Sequence, residues 1–293
     1  MEKKRKRRWG DRYDGRRIRT LDPINALMPF IFKTINTSSN SFANSVEISQ
    51  VEKYLREKRL DKYPGIGYLH FFIATYIRVA SEYPGVNRFI SGQRLFARYN
   101  IAFVMTVKKG MSVDAPETTI KINFSPKDTI FDVYNKLNAE VKKAREERES
   151  IAALIIAKSF LKLPRIILKS LISILECLDY FGLMPKTILD ASPFHGSLFV
   201  TDLGSIGLPP VFHHLYDFGN MPLFIAFGAK RKTREINNDG EIIVRKYIDY
   251  TFVMDERVCD GFYFSQSMKL FKSIFRNPTV LDKSPDKIVE DID

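Results

Sequence analysis

Between Tyr68 and Glu82 the apolar residues Leu69, Phe72, Ile73, Tyr76, Ile77 and Ala80 recur at helical spacing, and the helix they predict is apolar almost all round. Such a helix has to be buried. Pro64-Gly65-Ile66-Gly67 breaks the chain before it and Pro84-Gly85 ends it. Upstream, Val46, Val51 and Leu55 mark a short charged helix over Val46 to Lys58. Downstream the period changes to two. Arg88 to Ser91 and Arg94 to Val107 read as strands joined by a turn at Gly92, with Ile101, Phe103, Met105 and Val107 alternating. Thr119 to Phe124 alternates in the same way. Ser125-Pro126-Lys127-Asp128 opens a long helix to about Ser150, whose end is a solvated surface of mixed charge.

From Ile151 to Leu183 the chain is rich in Ile and Leu, carries Lys158, Lys162, Arg165 and Lys169, and is interrupted by Pro164. A bilayer span needs about 20 mostly apolar residues, so this stretch reads as two amphipathic helices. They suit core or subunit packing, with a cavity wall or a membrane interface as the alternatives. Strands return at Gly196 to Asp202, Leu223 to Lys230 and Ile242 to Met254. A last helix runs from Phe262 to Phe275 and stops at Asn277-Pro278. Strands and helices mix without regular βαβ alternation, which predicts an α+β domain with a mixed sheet.

Composition adds two constraints. Aromatic residues, 23 Phe and 13 Tyr among 293, are enough for a large core. Two cysteines, Cys177 and Cys259, exclude a disulfide framework and a four-cysteine zinc site, and fit a reducing, cytoplasmic compartment. The net charge of +12 is uneven: residues 1–20 hold ten Lys/Arg against three acids, the remaining 273 hold 36 against 31. The run Lys3 to Arg8 is foremost a solvated terminus. It also makes an anionic membrane surface a candidate contact, ahead of nucleic acid. No apolar segment of a secretory signal follows it.

The candidate chemistry lies in Thr251-Phe252-Val253-Met254-Asp255-Glu256-Arg257-Val258-Cys259-Asp260-Gly261, where a strand ends, a charged turn follows and Gly261 opens the last helix. This segment resembles the signature of the chloramphenicol acetyltransferase-like superfamily, whose dehydrogenase-complex members read Asp-His-Arg-x-x-Asp-Gly. Further segments match in the same order. Arg16-Arg17-Ile18-Arg19 resembles the entry segment, and Tyr83-Pro84-Gly85-Val86-Asn87 the turn after the first buried helix. Tyr99-Asn100-Ile101-Ala102-Phe103-Val104, Phe199-Val200-Thr201-Asp202-Leu203-Gly204 and Pro222-Leu223-Phe224-Ile225-Ala226-Phe227-Gly228 resemble three of its strands. Within that superfamily these segments resemble the catalytic domain of the dihydrolipoyl acyltransferases. It departs at the central position, where Glu256 replaces the catalytic histidine.

The resemblance implies a two-layer α+β sandwich, a mixed sheet with covering helices. One domain spans 16–278, with a basic tail at 1–15, a helical insertion at about 151–190 and a C-terminal tail at 279–293. It implies a homotrimer with its site between subunits, coenzyme A thioester as acyl donor, a small or carrier-bound acceptor, no metal, and no covalent lipoyl group on this chain. Thr201 falls at the oxyanion-stabilising hydroxyl. Asp260 falls at the structural aspartate held by a buried cation, for which Arg17 and Arg19 are candidates; Arg257 and Gly261 complete the motif.

Glu256 has two readings. Burial among apolar groups raises a carboxyl pKa and makes it a base; pairing with an arginine such as the adjacent Arg257 lowers it and leaves the site inactive, a trimeric scaffold or binding protein. The run His213-His214-Leu215-Tyr216-Asp217 mimics the antibiotic-modifying motif His-His-x-x-x-Asp-Gly with displaced spacing. It reads as a loop pair, with His213 or His214 as substitute bases and His195 a weaker one. No Walker sequence, redox cysteine pair or nucleophile elbow is present.

Overall fold

The computed structural model describes residues 7–110, 112, 114–146 and 162–293. The basic run up to Lys6, the expected helix end at 147–150 and the stretch 151–161 lie outside the described residues.

Two sheets organise the chain. Strands β1 (Gly15–Arg17), β3 (Arg88–Ser91) and β4 (Arg94–Arg98) form a small antiparallel sheet in the order β1-β4-β3. The main sheet takes β2 (Ser39–Glu47), β5 (Ile101–Lys108), β6 (Glu117–Phe124), β7 (Leu198–Asp202), β8 (Leu223–Ile236) and β9 (Ile242–Asp255) in the order β2-β9-β8-β7-β5-β6. It is mixed: β7 runs parallel to β5 and to β8, and the other pairs are antiparallel.

Helices cover one face of the main sheet. They are α2 (Ser49–Asp61), α3 (Tyr68–Glu82), α4 (Ile130–Glu146) and α7 (Gly261–Arg276). As its all-round apolar pattern requires, α3 is buried from His70 to Ala74 and beyond. Phe72 stacks on Phe227 of β8 at 4.3 Å, and Phe271 of α7 meets Phe252 of β9 at 5.5 Å. The opposite face carries a second, smaller core of Val104, Phe199, Phe224, Ala226 and Val253, covered by the loop containing Leu215 and Met221. The expected α+β sandwich is what the chain forms.

Several elements differ from the sequence reading, among them strand β2, where no strand is read. The helix expected over Val46 to Lys58 starts at Ser49, because Val46 lies in strand β2, which runs to Glu47. The strand expected over Arg94 to Val107 breaks at Tyr99-Asn100 into β4 and β5, which belong to different sheets. Helix α1 (Pro23–Ile31) arises where no helix is read. Of the Ile151 to Leu183 stretch, α5 (Arg165–Tyr180) is described and none of its residues is buried; a short α6 (Lys186–Ala191) follows. Among the described residues no helix is long and apolar enough to cross a membrane.

Buried charge fastens the C-terminal end of α5. Arg12, a fully buried residue, donates to Asp14 at 2.9 Å and to Asp179 at 2.6 Å, and Asp179 also meets His195 Nε2 at 3.3 Å. At Gly92, in the left-handed region with φ 54°, a Cβ would lie 2.0 Å from the Tyr180 carbonyl oxygen, so only glycine lets the β3–β4 turn approach α5 this closely. The expected C-terminal tail and the described part of the N-terminal one, residues 7–15, pack on the body. The backbone N–H groups of Arg19 and Thr20 donate to the Asp293 carbonyl oxygen at 3.0 and 2.7 Å, and Val289 N–H donates to Ser81.

Asp14 sets an acid limit on this arrangement. Burial raises its pKa, but Arg12 and Arg98 outweigh that and bring it from 3.8 down to about 2. A carboxyl depressed in the folded state contributes stability above its unfolded pKa and loses it as pH falls through the folded one. The contribution is about 2 kcal/mol, complete above about pH 5 and mostly gone by about pH 2. Urea melts at these two pH values should show that loss, and Asp14→Asn should remove it.

Candidate active site

Backbone hydrogen bonds hold the turn after β9. Asp255 N–H donates to the Pro222 carbonyl at 2.9 Å, Glu256 N–H to that of Ser38 at 2.9 Å, and Val258 N–H closes onto the Asp255 carbonyl at 3.3 Å. Asp260 then caps α7, its Oδ1 accepting from Tyr263 N–H at 2.8 Å. Gly261 is the first helical residue.

Arg257 does not pair with Glu256. It grips Asp255 with two parallel bonds, Nε to Oδ1 at 2.8 Å and Nη2 to Oδ2 at 2.6 Å, and both side chains are 2% exposed. Its Nη1 donates to the Phe32 carbonyl at 2.8 Å, and Ser38 Oγ donates to Asp255 Oδ1 at 3.2 Å. The motif's first aspartate and its arginine thus tie the turn to the end of α1 and the start of β2. Bidentate geometry with further hydrogen bonds to both partners is the arrangement in which buried charges are tolerated.

Glu256 is left to face a cavity. Its Oε2 accepts from Asn40 Nδ2 at 2.6 Å, and Asn40 sits opposite Met254 in the β2–β9 ladder. The cavity holds about 320 Å³ and is lined by Glu256, Asn40, Phe42, Cys259, Asp260 and Tyr263, with Leu21, Asn25 and Met28 along one side. It takes the helix-covered end of the sheet. The Cys259 thiol at its wall is pushed up to about 12 by burial, so it stays protonated and is no nucleophile at neutral pH.

The cation expected at Asp260 is neither Arg17 nor Arg19. Arg19 pairs with Asp11 at 3.0 Å and donates to Trp9 O. Arg17 lies on β1 opposite Phe96. Asp260 needs no such partner because it is half of a helix cap, and it is exposed. Besides Arg257, the cation lining this cavity is Arg88, missed in the sequence reading. It binds Asp291 through Nε at 2.8 Å and Nη2 at 2.5 Å and reaches the Val258 carbonyl at 3.4 Å. Burial lowers its pKa, but Asp291 more than restores it, so the net shift is upward. The only sequence signal for it was its place directly after the Pro84 to Asn87 turn.

Thr201 lies far from Glu256 in the same chain. It is level with Ala226 and, through it, with Thr251. Two strand spacings and five residues of rise place the two about 20 Å apart. By alternation Thr201 shares the face of Phe199, the side away from the helices. His213 and His214 are on that side as well: His213 stacks on Phe224 at 4.2 Å, its Nδ1 is 2.7 Å from the His214 carbonyl, and His214 Nδ1 is 3.1 Å from the Leu215 carbonyl. Within one chain neither reaches Glu256. His195 is held by Ser192 at 2.7 Å and by Asp179. His70 sits in α3, bonded to Gly67 N–H and to Asn138. No group of three His, Cys, Asp or Glu able to hold a metal occurs among the described residues.

With this geometry in place, comparison with solved structures decides the fold. A probable dihydrolipoamide acetyltransferase from Listeria monocytogenes 4b F2365 superposes with a TM-score of 0.57 at 15% identity, covering 88% of this chain and 95% of that one. The cubic core of the pyruvate dehydrogenase multienzyme complex gives 0.58 at 11%, with 88% of each chain covered. A chloramphenicol acetyltransferase gives 0.52 at 11%, covering 88% and 99%. The protein has the chloramphenicol acetyltransferase-like fold. No protein-family profile and no curated protein sequence matches the chain. Two of these three neighbours are acetyltransferases by name, and the strand–turn–helix carrying Asp255 to Gly261 occurs here on the fold to which the sequence resemblance pointed.

Proposed function

We propose that the protein is a coenzyme A-dependent acyltransferase that moves an acyl group from a thioester to a thiol, hydroxyl or amine, at a site between subunits of a homotrimer. Glu256 takes the proton of the acceptor as its heteroatom attacks the thioester carbonyl. Thr201 of the partner subunit donates to the oxyanion. The C–S bond then breaks, and the coenzyme A thiolate recovers the proton from Glu256. General base catalysis of this kind contributes about 10²–10⁴-fold, and one oxyanion donor about 3 kcal/mol.

One observation carries the reading. The Glu256 carboxylate opens on a cavity and is held by the neutral Asn40 amide, while the arginine beside it is spent on Asp255. A carboxylate locked in an ion pair would be a poor base; this one is not so locked. The ~20 Å between Thr201 and Glu256 in one chain also suits a site completed by a second subunit. The competing reading is an inactive trimeric scaffold, favoured because no histidine lines the Glu256 cavity. Two free cysteines, one exposed and one buried, fit a reducing cytoplasm.

Light scattering at micromolar concentration should give about three times the 33.9 kDa chain mass. Acetyl-coenzyme A with a small thiol should release coenzyme A. A monomer that binds no coenzyme A and transfers nothing would defeat both the interface and the acyltransferase reading.

A further inference from the structure

A cavity of about 850 Å³, more than twice the 320 Å³ at Glu256, opens on the other side of the small sheet. Strand β4 separates the two: Leu95 lines the Glu256 cavity, whereas Arg94 and Phe96 line this one. Helix α1 divides in the same way, with Met28 on one side and Phe30 on the other.

Its walls carry more positive charge than the protein neutralises. Arg7, Arg8, Arg12 and Arg94 line it, with Asp11 the one carboxylate among them. Asp11 is occupied by the N–H groups of Arg8 and Arg17 and by Arg19. Arg12 is matched by Asp14 and Asp179, and Arg8 by Asp293 at 3.0 Å. Arg7 and Arg94 have no carboxylate partner among the described residues. Neither does Arg17, which stands opposite Phe96 in the β1–β4 ladder and so shares the face of Arg94. Burial, then the neighbouring Arg94 and Arg19, pull the Arg17 guanidinium below its ordinary pKa. Like charges gathered on one wall favour a ligand that brings negative charge, and arginine forks fit phosphate oxygens two at a time.

The rim is aromatic and bare. Trp9 is 97% exposed, Phe181 67% and Phe30 52%, each presenting a flat apolar surface. Arginines for phosphate beside uncovered rings for a planar base make one combined chemistry. We propose that this cavity binds a nucleoside polyphosphate, its phosphates on Arg94 and Arg7 of the lining and its base stacked on the exposed rim. The proposal goes beyond acyl transfer and holds whether or not Glu256 performs chemistry. The same chemistry is offered by free ATP and by the nucleotide end of coenzyme A.

Trp9 is the chain's single tryptophan, so fluorescence excited at the red edge, where tyrosine does not absorb, reports this cavity. The full chain is titrated with ATP, coenzyme A, adenosine and inorganic pyrophosphate, with calorimetry in parallel. ATP should change Trp9 emission saturably, adenosine and pyrophosphate should each bind about tenfold or more weakly, and Arg94→Gln should weaken ATP about tenfold with an unchanged melting temperature. Coenzyme A binding as tightly as ATP assigns the site to the nucleotide end of the thioester; weaker binding assigns it to free nucleotide. No saturable signal or heat up to about 1 mM ATP, pyrophosphate as tight as ATP, a single-stranded oligonucleotide tighter than ATP, or an indifferent Arg94→Gln would each overturn it. Failure of acyl transfer with ATP binding intact would count against the Glu256 reading alone.

Discussion

Glu256→Gln should cut coenzyme A release about 10²–10⁴-fold while leaving the fold and the oligomer unchanged. The amide keeps the shape of the side chain and its hydrogen bond with Asn40 in one orientation, but it cannot take a proton. Glu256→His offers the opposite test. Imidazole titrates near 6.5, close to the working pH, against about 4.3 for an ordinary glutamate, so the variant should be at least as active as wild type near pH 7. The two substitutions separate the readings. A scaffold is indifferent to Glu256→Gln, and a working carboxylate base is not. If alanine at His213 or His214 abolishes transfer while Glu256→Gln does not, the base comes from the far face of the sheet across the subunit boundary.

Arg257→Ala should cost about 3–5 kcal/mol of folding stability, the largest effect expected of any single change at the turn. Asp255 would be left charged and 2% exposed, with Ser38 Oγ and the Arg257 N–H as its remaining donors. Replacing both partners by apolar residues, Asp255→Leu with Arg257→Met, should be milder than Arg257→Ala alone, because no orphaned charge remains. Denaturant melts of the two singles and the double would measure the coupling. Additive effects would mean that the pair is not what anchors the turn. In that event Glu256 would owe its position to Asn40 and the Ser38 carbonyl only.

The sequence reading succeeded where periodicity and burial coincide. Helix α3 is apolar on all sides because it is buried on all sides, and its limits were legible to the residue. β6 and the alternating part of β5 face the helix layer with one side, so period two was visible. It failed where burial is one-sided or absent. Strand β2 reads Ser-Asn-Ser-Phe-Ala-Asn-Ser-Val-Glu because it is the outermost strand and mostly exposed, which leaves no apolar rhythm to detect. Helix α1 contains Pro29, a residue that argues against a helix, yet it forms behind Asp22, which caps Ile24 N–H. At the site, Asp255 to Gly261 could be found as a string. The partner of each charge could not, because Phe32, Ser38, Asn40 and Asp291 are brought to the turn from both ends of the chain.

That convergence has a kinetic side. Asn40 and Glu256, joined by a side-chain hydrogen bond between β2 and the turn after β9, stand 216 residues apart in sequence. The outer strand is therefore made early in synthesis and has no partner until nearly all of the chain has emerged. Pairings this distant close slowly, and an unpaired strand is an invitation to other chains while it waits. The polar residues that hid β2 from a pattern search, Ser39, Asn40, Ser41, Asn44 and Ser45, keep that waiting strand soluble. Refolding from denaturant should accordingly finish late at β2, and apolar substitutions there would show first in the yield of refolded protein rather than in its final stability.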